Sequence, residues 1–240
     1  EINYFALKKF IKACNEKNLN KVIFVSTCSN YGFIKKNCKA NENHRLNPLS
    51  NYAKQKVKIE NYIMSLHGKV DYKPTILRFA TAFGVSPRMR FDLTVNEFVR
   101  DVCRKKKVVV YDADTWRPYC HVKDFARLID NIIRSPAKKT SFQIFNVGDD
   151  KNNFTKRMLI KKISKMVKNT QVIFLKKKFD PRNYKVNFSK IKKKLNFHCK
   201  FSVNYGIKEL IKFITFSKFN NYVKNKNCYG NFTIRNYAKK

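Results

Sequence analysis

Glycine is scarce in this chain. Only six of its 240 residues are glycine, at 32, 68, 84, 148, 206 and 230. None falls in G-x-G-x-x-G or G-x-x-G-x-x-G, so the turn that seats a dinucleotide diphosphate on a helix N-terminus is not in this sequence. Acidic residues are scarce as well: 16 Asp and Glu stand against 53 Lys and Arg, a formal net charge of +37. Long apolar runs are missing. None reaches the roughly 18 residues that would mark a membrane-spanning helix, so no membrane partner is expected. The seven cysteines form no C-x-x-C and no Cys/His spacing for zinc, and their number is odd. No metal site is expected, and a reducing cytoplasm suits them best. No signal peptide is visible.

What is present argues for a folded core. Hydrophobic residues make up 43% of the chain and aromatic residues 14%, too many for a disordered polyelectrolyte. The lysines are scattered, as in Lys161-Lys162 and Lys192-Lys193-Lys194. They read as coats on solvated helix faces. A nucleic-acid partner through that basic surface is possible but not favoured.

Strands and helices alternate, which argues for an α/β fold. Helical periodicity covers 3–14, 51–66, 94–103, 123–134, 188–195 and 203–214. Thr155 reads as the N-cap of a further helix running to Lys168. A buried parallel-type strand is expected at 22–26, further strands at 72–80, 107–111, 141–147 and 171–175, and a polar loop at 33–50. Cys103 and Cys120 read as small core residues. A basic, aromatic tail closes the chain.

Two residues carry the first chemical signal. Tyr52 and Lys56 are one helical turn apart, so phenol and ammonium share a face. A cation beside a phenol favours phenolate, which predicts a lowered Tyr52 pKa and a proton acceptor near neutrality. Upstream, Lys21-Val-Ile-Phe-Val-Ser-Thr27-Cys28-Ser29-Asn30-Tyr31-Gly32 reads as a buried strand ending in hydroxyls. Strand ends are where open α/β sheets place their chemistry.

These motifs recur in a known order. After the strand and Tyr52-x-x-x-Lys56 come Leu77-Arg78-Phe79-Ala80-Thr81-Ala82-Phe83-Gly84 and Ser86-Pro87-Arg88-Met89-Arg90-Phe91-Asp92-Leu93. Trp116-Arg117-Pro118-Tyr119-Cys120-His121-Val122-Lys123-Asp124, Phe145-Asn146-Val147-Gly148 and Asp180-Pro181-Arg182-Asn183-Tyr184 follow. Over residues 1 to about 213 the chain resembles the extended short-chain dehydrogenase/reductases, in the branch of NAD-dependent sugar-nucleotide epimerases and dehydratases. The resemblance implies the C-terminal part of a Rossmann-like doubly wound parallel sheet plus a small α/β substrate-binding lobe. Residues 1–85 would be the remaining Rossmann-like part and 86–215 mainly the substrate lobe, interleaved with the last Rossmann elements. Residues 216–240 would be the basic tail. Because the family opens with a glycine-rich unit, the resemblance also implies a fragment or truncated form.

The same resemblance implies site residues. Thr27, Tyr52 and Lys56 would be catalytic, with Lys56 also holding the nicotinamide ribose. Phe79, Ala80 and Thr81 would line the cofactor, NAD, with NADP left open. Arg88, Asn96, Arg117 and Arg182 would bind a nucleotide-sugar substrate, Arg117 and Arg182 through its diphosphate. The family's 4,6-dehydratases carry Asp-Glu where this chain has Cys28 and Ser29, so epimerisation fits better than dehydration. His121 is expected to be structural, and Cys28 to pack behind the strand. The expected protein is an NAD-dependent nucleotide-sugar epimerase, a homodimer when complete. The alternatives are a dehydratase or reductase of the same family, or a non-catalytic polyanion-binding remnant.

Overall fold

A computed structural model describes residues 2–35, 38–104, 107–176 and 182–216. Of the tail read at 216–240 it describes only Phe216; the rest, like Asp180 and Pro181, lies outside the described residues. The helices are α1 (Ile2–Glu16), α2 (Asn51–Ser65), α3 (Thr94–Arg104), α4 (Val122–Arg134), α5 (Ala137–Thr140), α6 (Lys156–Met166), α7 (Ser189–Leu195) and α8 (Val203–Thr215). The strands are β1 (Lys21–Thr27), β2 (Lys39–Ala40), β3 (Lys73–Phe79), β4 (Thr81–Phe83), β5 (Lys107–Tyr111), β6 (Trp116–His121), β7 (Gln143–Val147), β8 (Asn153–Thr155), β9 (Gln171–Leu175) and β10 (Lys185–Val186).

Three strands make a parallel sheet in the order β1-β3-β7. Phe24 is in register with Ile76, and Leu77 with Phe145. The central strand β3 is buried from Pro74 through Arg78, with helices covering both faces and the polar Thr75 and Arg78 buried beside Ile76 and Leu77. On one face α1 and α2 bring Ile11, Ile59 and Ile63 against Val22, Phe24 and Ile76. On the other, α4 and α7 bring Leu128, Ile132 and Ile191 against Leu77 and Phe145. This is Rossmann-like doubly wound packing. Among the described residues β1 is paired on one side alone, and Val25 is 38% exposed on it.

A second cluster forms around α3, α6 and α8, with Phe91, Val99, Ile163 and Leu210 at its centre. β5 and β9 run parallel beside it, and β4, β6 and β8 form a short mixed sheet between the two regions. The chain crosses twice: α4 and β7 return to the parallel sheet before α6 joins the second cluster. Helix starts follow their caps. Ser50 accepts from the Ala53 N–H at 3.2 Å, and Thr155 accepts from the Met158 N–H at 3.1 Å.

The sequence reading missed β4, β6 and β8. β4 and β8 are three residues long. β6 is buried at five of its six positions and contains Pro118, so it shows no alternation. No described helix is long and apolar enough to cross a membrane.

Candidate active site

A cleft of about 590 Å³ opens at the C-terminal ends of β1 and β3. Ends of parallel strands leave backbone groups pointing into such a crevice, and small loop residues shape it. β1 delivers Thr27, which is extended (φ −145°) and accepts from the Ser29 N–H at 3.1 Å. β3 delivers Phe79, which stacks on Phe125 with centroids 3.8 Å apart. Ala80 and Thr81 continue the floor, and α2 places Tyr52 on the rim, 52% exposed.

The opposite wall is cationic. Arg117 from β6 and Arg182, 65 residues later, both line the cleft. The Arg117 guanidinium donates to the Trp116 carbonyl at 2.7 Å and to the Arg182 carbonyl, and lies 5.0 Å from the Tyr184 ring centroid. Tyr184 shares a hydrogen bond of 3.2 Å with Ser29. One chain of contacts therefore joins the hydroxyl end of the cleft to the arginine end. Burial pushes the Tyr184 phenol pKa up, with Arg117 opposing. Arg90, Asp92 and Lys156 also line the cleft, and none was singled out in the sequence. In a chain with 53 basic residues they resemble every other surface charge.

Seven of the ten candidates thus share one cleft: Thr27, Tyr52, Phe79, Ala80, Thr81, Arg117 and Arg182. Three do not line it. Arg88 is exposed outside it. Asn96 is buried, and its amide is spent on the wall: Oδ1 accepts from the Gly84 N–H at 3.0 Å and Nδ2 donates to the Arg90 carbonyl at 2.9 Å. Lys56 lies in a small crevice beside the cleft with Leu7 and Gln55, which also touches Tyr52.

The predicted effect of Lys56 on Tyr52 needs correction. The Lys56 ammonium donates to the Val25 carbonyl at 2.7 Å and sits 4.7 Å from the Phe24 ring centroid. It is 5.6 Å from the Tyr52 ring centroid. Partial burial raises the Tyr52 pKa above its usual value, and the cation that opposes the rise is Arg90. Burial also lowers the Lys56 pKa, with Glu60 opposing. Helical spacing brought the two side chains to one face, but the edge carbonyl of β1 took the ammonium.

Beneath the floor lies a buried polar network that the sequence did not announce. Glu60 of α2 receives Arg78 through Nε (3.1 Å) and NH2 (2.6 Å), and also Asn30 (2.8 Å) and the Ser26 hydroxyl. Arg78 donates to the Tyr31 hydroxyl at 3.0 Å, and Tyr31 donates to Asn146 at 2.7 Å. The network stitches β1, β3 and β7 to α2. Burial opposes the charge on Arg78, but the Glu60 bonds outweigh it and raise its pKa. The one signal available was a lone Glu on the apolar Ile59–Ile63 face of a basic helix.

Cys28 and His121 are structural, as read. Cys28 is buried and donates to the Arg78 carbonyl at 3.1 Å; burial pushes its thiol pKa up, against the pull of Arg78. His121 is fully buried. Its Nδ1 accepts from the Lys123 N–H, and its Nε2 lies 3.0 Å from Glu209. Burial lowers its pKa, and Glu209 opposes. Among the described residues Cys120, Asp124 and Cys199 could bring ligand atoms together. The Asp124 oxygens already accept from the Lys200 and Phe201 N–H groups and from Arg127, so they are poorly placed to serve an ion.

The model of the NAD dependent epimerase/dehydratase family matches residues 1–148, more than half of the chain. The chain belongs to that family. Among curated epimerase/dehydratase relatives, the uncharacterized UDP-glucose epimerase YtcB of Bacillus subtilis is 29% identical over 135 residues, 56% of this chain and 42% of that protein. The UDP-glucuronate 4-epimerase of Thermodesulfobacterium geofontis is 26% identical over 167 residues, 68% of this chain and 50% of that protein. The chain spans about half the length of the curated relatives it matches. The fold matches the UDP-glucose 4-epimerase of Thermotoga maritima with UDP-glucose, with a TM-score of 0.79 and 23% identity over 92% of this chain and 70% of that one. It also matches the dTDP-glucose 4,6-dehydratase of Bacillus anthracis in complex with NAD, with a TM-score of 0.79 and 20% identity over 95% of this chain and 69% of that one.

Proposed function

We propose that this chain is the catalytic and substrate-binding part of an NAD-dependent nucleotide-sugar epimerase. One observation carries the reading: a single cleft brings the hydroxyls of Thr27 and Tyr52 together with the guanidinium of Arg117 and the Arg182 segment. Arginine forks suit a diphosphate. At the other end, a phenol and a hydroxyl suit proton exchange with a sugar alcohol. Small Ala80 and Thr81 beside Phe79 leave room for a flat ring, which fits NAD; the diphosphate-seating glycine turn is not in this sequence. NAD, when bound, supplies a hydride acceptor and donor.

In this reading Tyr52 takes the proton of the sugar hydroxyl at its phenolic oxygen, and Thr27 bonds the same sugar oxygen. Arg117 and Arg182 hold the diphosphate while the keto sugar turns, and Tyr52 returns the proton. Epimerisation is favoured over dehydration by the two residues that follow Thr27. Elimination of water needs an acid and a base there. Cys28 is buried with its thiol pKa raised, and the Ser29 hydroxyl is engaged with Tyr184. The same reading carries a cytoplasmic location and a homodimer for the complete enzyme.

Calorimetric titration with UDP-glucose, the ligand of the T. maritima protein, tests the substrate end. Arg117→Ala is expected to weaken binding by about 1.5–3 kcal/mol, the scale of a charge-assisted hydrogen bond. Equal affinities for both proteins would remove Arg117 from the site.

A further inference from the structure

Two thiols that line no part of the cleft meet at the margin of the parallel-sheet core. Cys120 is fully buried on β6, and Cys199 is half-buried in the segment between α7 and α8. Their sulfurs are 3.9 Å apart, although 79 positions separate them in the chain.

The contact is held from both sides. Cys120 sits in β6, in register with Ala82 of β4, and α4 begins two residues later at Val122. From α4, Asp124 reaches the other segment and accepts from the Lys200 and Phe201 N–H groups, each at 3.0 Å. Arg127 of the same helix donates to the His198 carbonyl at 3.3 Å, and its guanidinium lies 5.3 Å from the ring centroid of the buried Phe197. The Phe201 ring is 5.1 Å from that of His121. The residues on both sides of Cys199 are thus tied to β6 and α4, and the tie sets its thiol beside that of Cys120. The third group within reach, Asp124, is taken up by backbone N–H groups and by Arg127. What remains is a dithiol. A disulfide needs about 2.0 Å between sulfurs, so closure from 3.9 Å asks for an approach of about 1.9 Å.

We propose that Cys120 and Cys199 are an oxidation site, a preassembled pair that closes to an intramolecular disulfide when the protein meets a peroxide. Cys199, the more exposed sulfur, reacts first. Its thiolate attacks one oxygen of hydrogen peroxide, the O–O bond breaks, and the departing hydroxide takes up the thiol's proton as water. The sulfenic acid left on Cys199 is then attacked by the Cys120 sulfur. The S–S bond forms, the S–O bond breaks, and the hydroxyl leaves with the Cys120 proton as a second water. Two thiols lose two electrons to one peroxide. Burial pushes the Cys120 thiol pKa up, and the bond with Cys199 adds to this, which suits the resolving thiol and not the attacking one. The closed pair fastens the segment around Cys199 to the strand that carries Arg117 into the cleft.

The test is peptide mapping of the full chain carrying Cys38→Ser, which removes an exposed thiol that could pair between molecules. The protein is treated with hydrogen peroxide, alkylated in denaturant and digested without reductant. The expected product is a peptide pair joined through Cys120 and Cys199, in more than half of the chains, that separates on adding dithiothreitol. Cys199→Ser is expected to abolish it and to leave Cys120 alkylated. In Cys120→Ala the Cys199 sulfenic acid has no thiol to resolve it and is expected to be captured by dimedone. Recovery of Cys120 in the alkylated form while Cys199 advances to sulfinic acid overturns the proposal, as does a Cys199 disulfide to any other cysteine.

Discussion

Two arginine–carboxylate forks differ in where they stand: one is buried among β1, β3 and α2, the other on the lining of the cleft. Arg78 meets Glu60 through Nε and NH2, and Arg90 meets Asp92 through Nε and NH2. Their surroundings differ. The side chains of the first pair are 4% and 2% exposed, those of the second 39% and 31%. A charge removed from water must be fully bonded, and breaking such a pair leaves its partner stranded. A charge that stays wetted contributes little to stability. The first fork therefore holds the sheet together. The second contributes little to folding and lies on the lining of the cleft.

Glu60→Gln should be the most damaging change. It strands the Arg78 charge while keeping the shape of the side chain, at a cost of about 3–5 kcal/mol in urea unfolding. A loss below about 1 kcal/mol would mean that water reaches the network and that the contrast between the forks is false. Arg90→Met should cost less than about 1 kcal/mol in the same assay, because its pair is half-wetted. A larger loss would make Arg90 a folding residue like Arg78 and erase the contrast between the two forks. The smallest effect is in acid. Hydrogen bonding from Arg90 holds the Asp92 carboxyl below its usual value of 3.8. A depressed carboxylate contributes stability that is full above its unfolded value and drains as pH falls below it. Wild type and Arg90→Met should therefore converge in stability below about pH 3.8. Divergence on acidification would show that the fork stabilises by something other than charge.

The same contrast shows how much of the molecule is legible in its sequence. The strand through Thr75–Leu77 is visible because helices bury both of its faces, and Val22–Val25 is visible as an apolar run although Val25 stays exposed at the sheet edge. Tyr52 draws attention through its helical spacing to Lys56, whereas Thr27 and Arg117 are singled out through the family resemblance. The short sheet β4-β6-β8 is not, since three residues carry no period and β6 is buried almost throughout. Burial on both faces also hides which residue meets which. Nothing local says that Glu60 will find Arg78 rather than solvent, or that Lys56 will turn to a backbone carbonyl. Asn96 shows the limit most plainly: an amide suits a nucleotide or a peptide group equally, and only the tertiary structure places Gly84 and Arg90 around it.

The central claim is that Tyr52 exchanges a proton with a sugar bound at Arg117. The most direct measurement supplies the protein with excess NAD and a panel of nucleotide sugars, and follows keto or epimerised sugar by chromatography beside calorimetric binding. Excess NAD is needed because a chain without the glycine-rich turn should bind it weakly. The account predicts that Tyr52→Phe lowers the rate by about 100-fold or more and leaves nucleotide-sugar affinity nearly unchanged, since the phenol proton serves transfer and not docking. A phenylalanine variant that keeps more than about a tenth of the wild-type rate would contradict it.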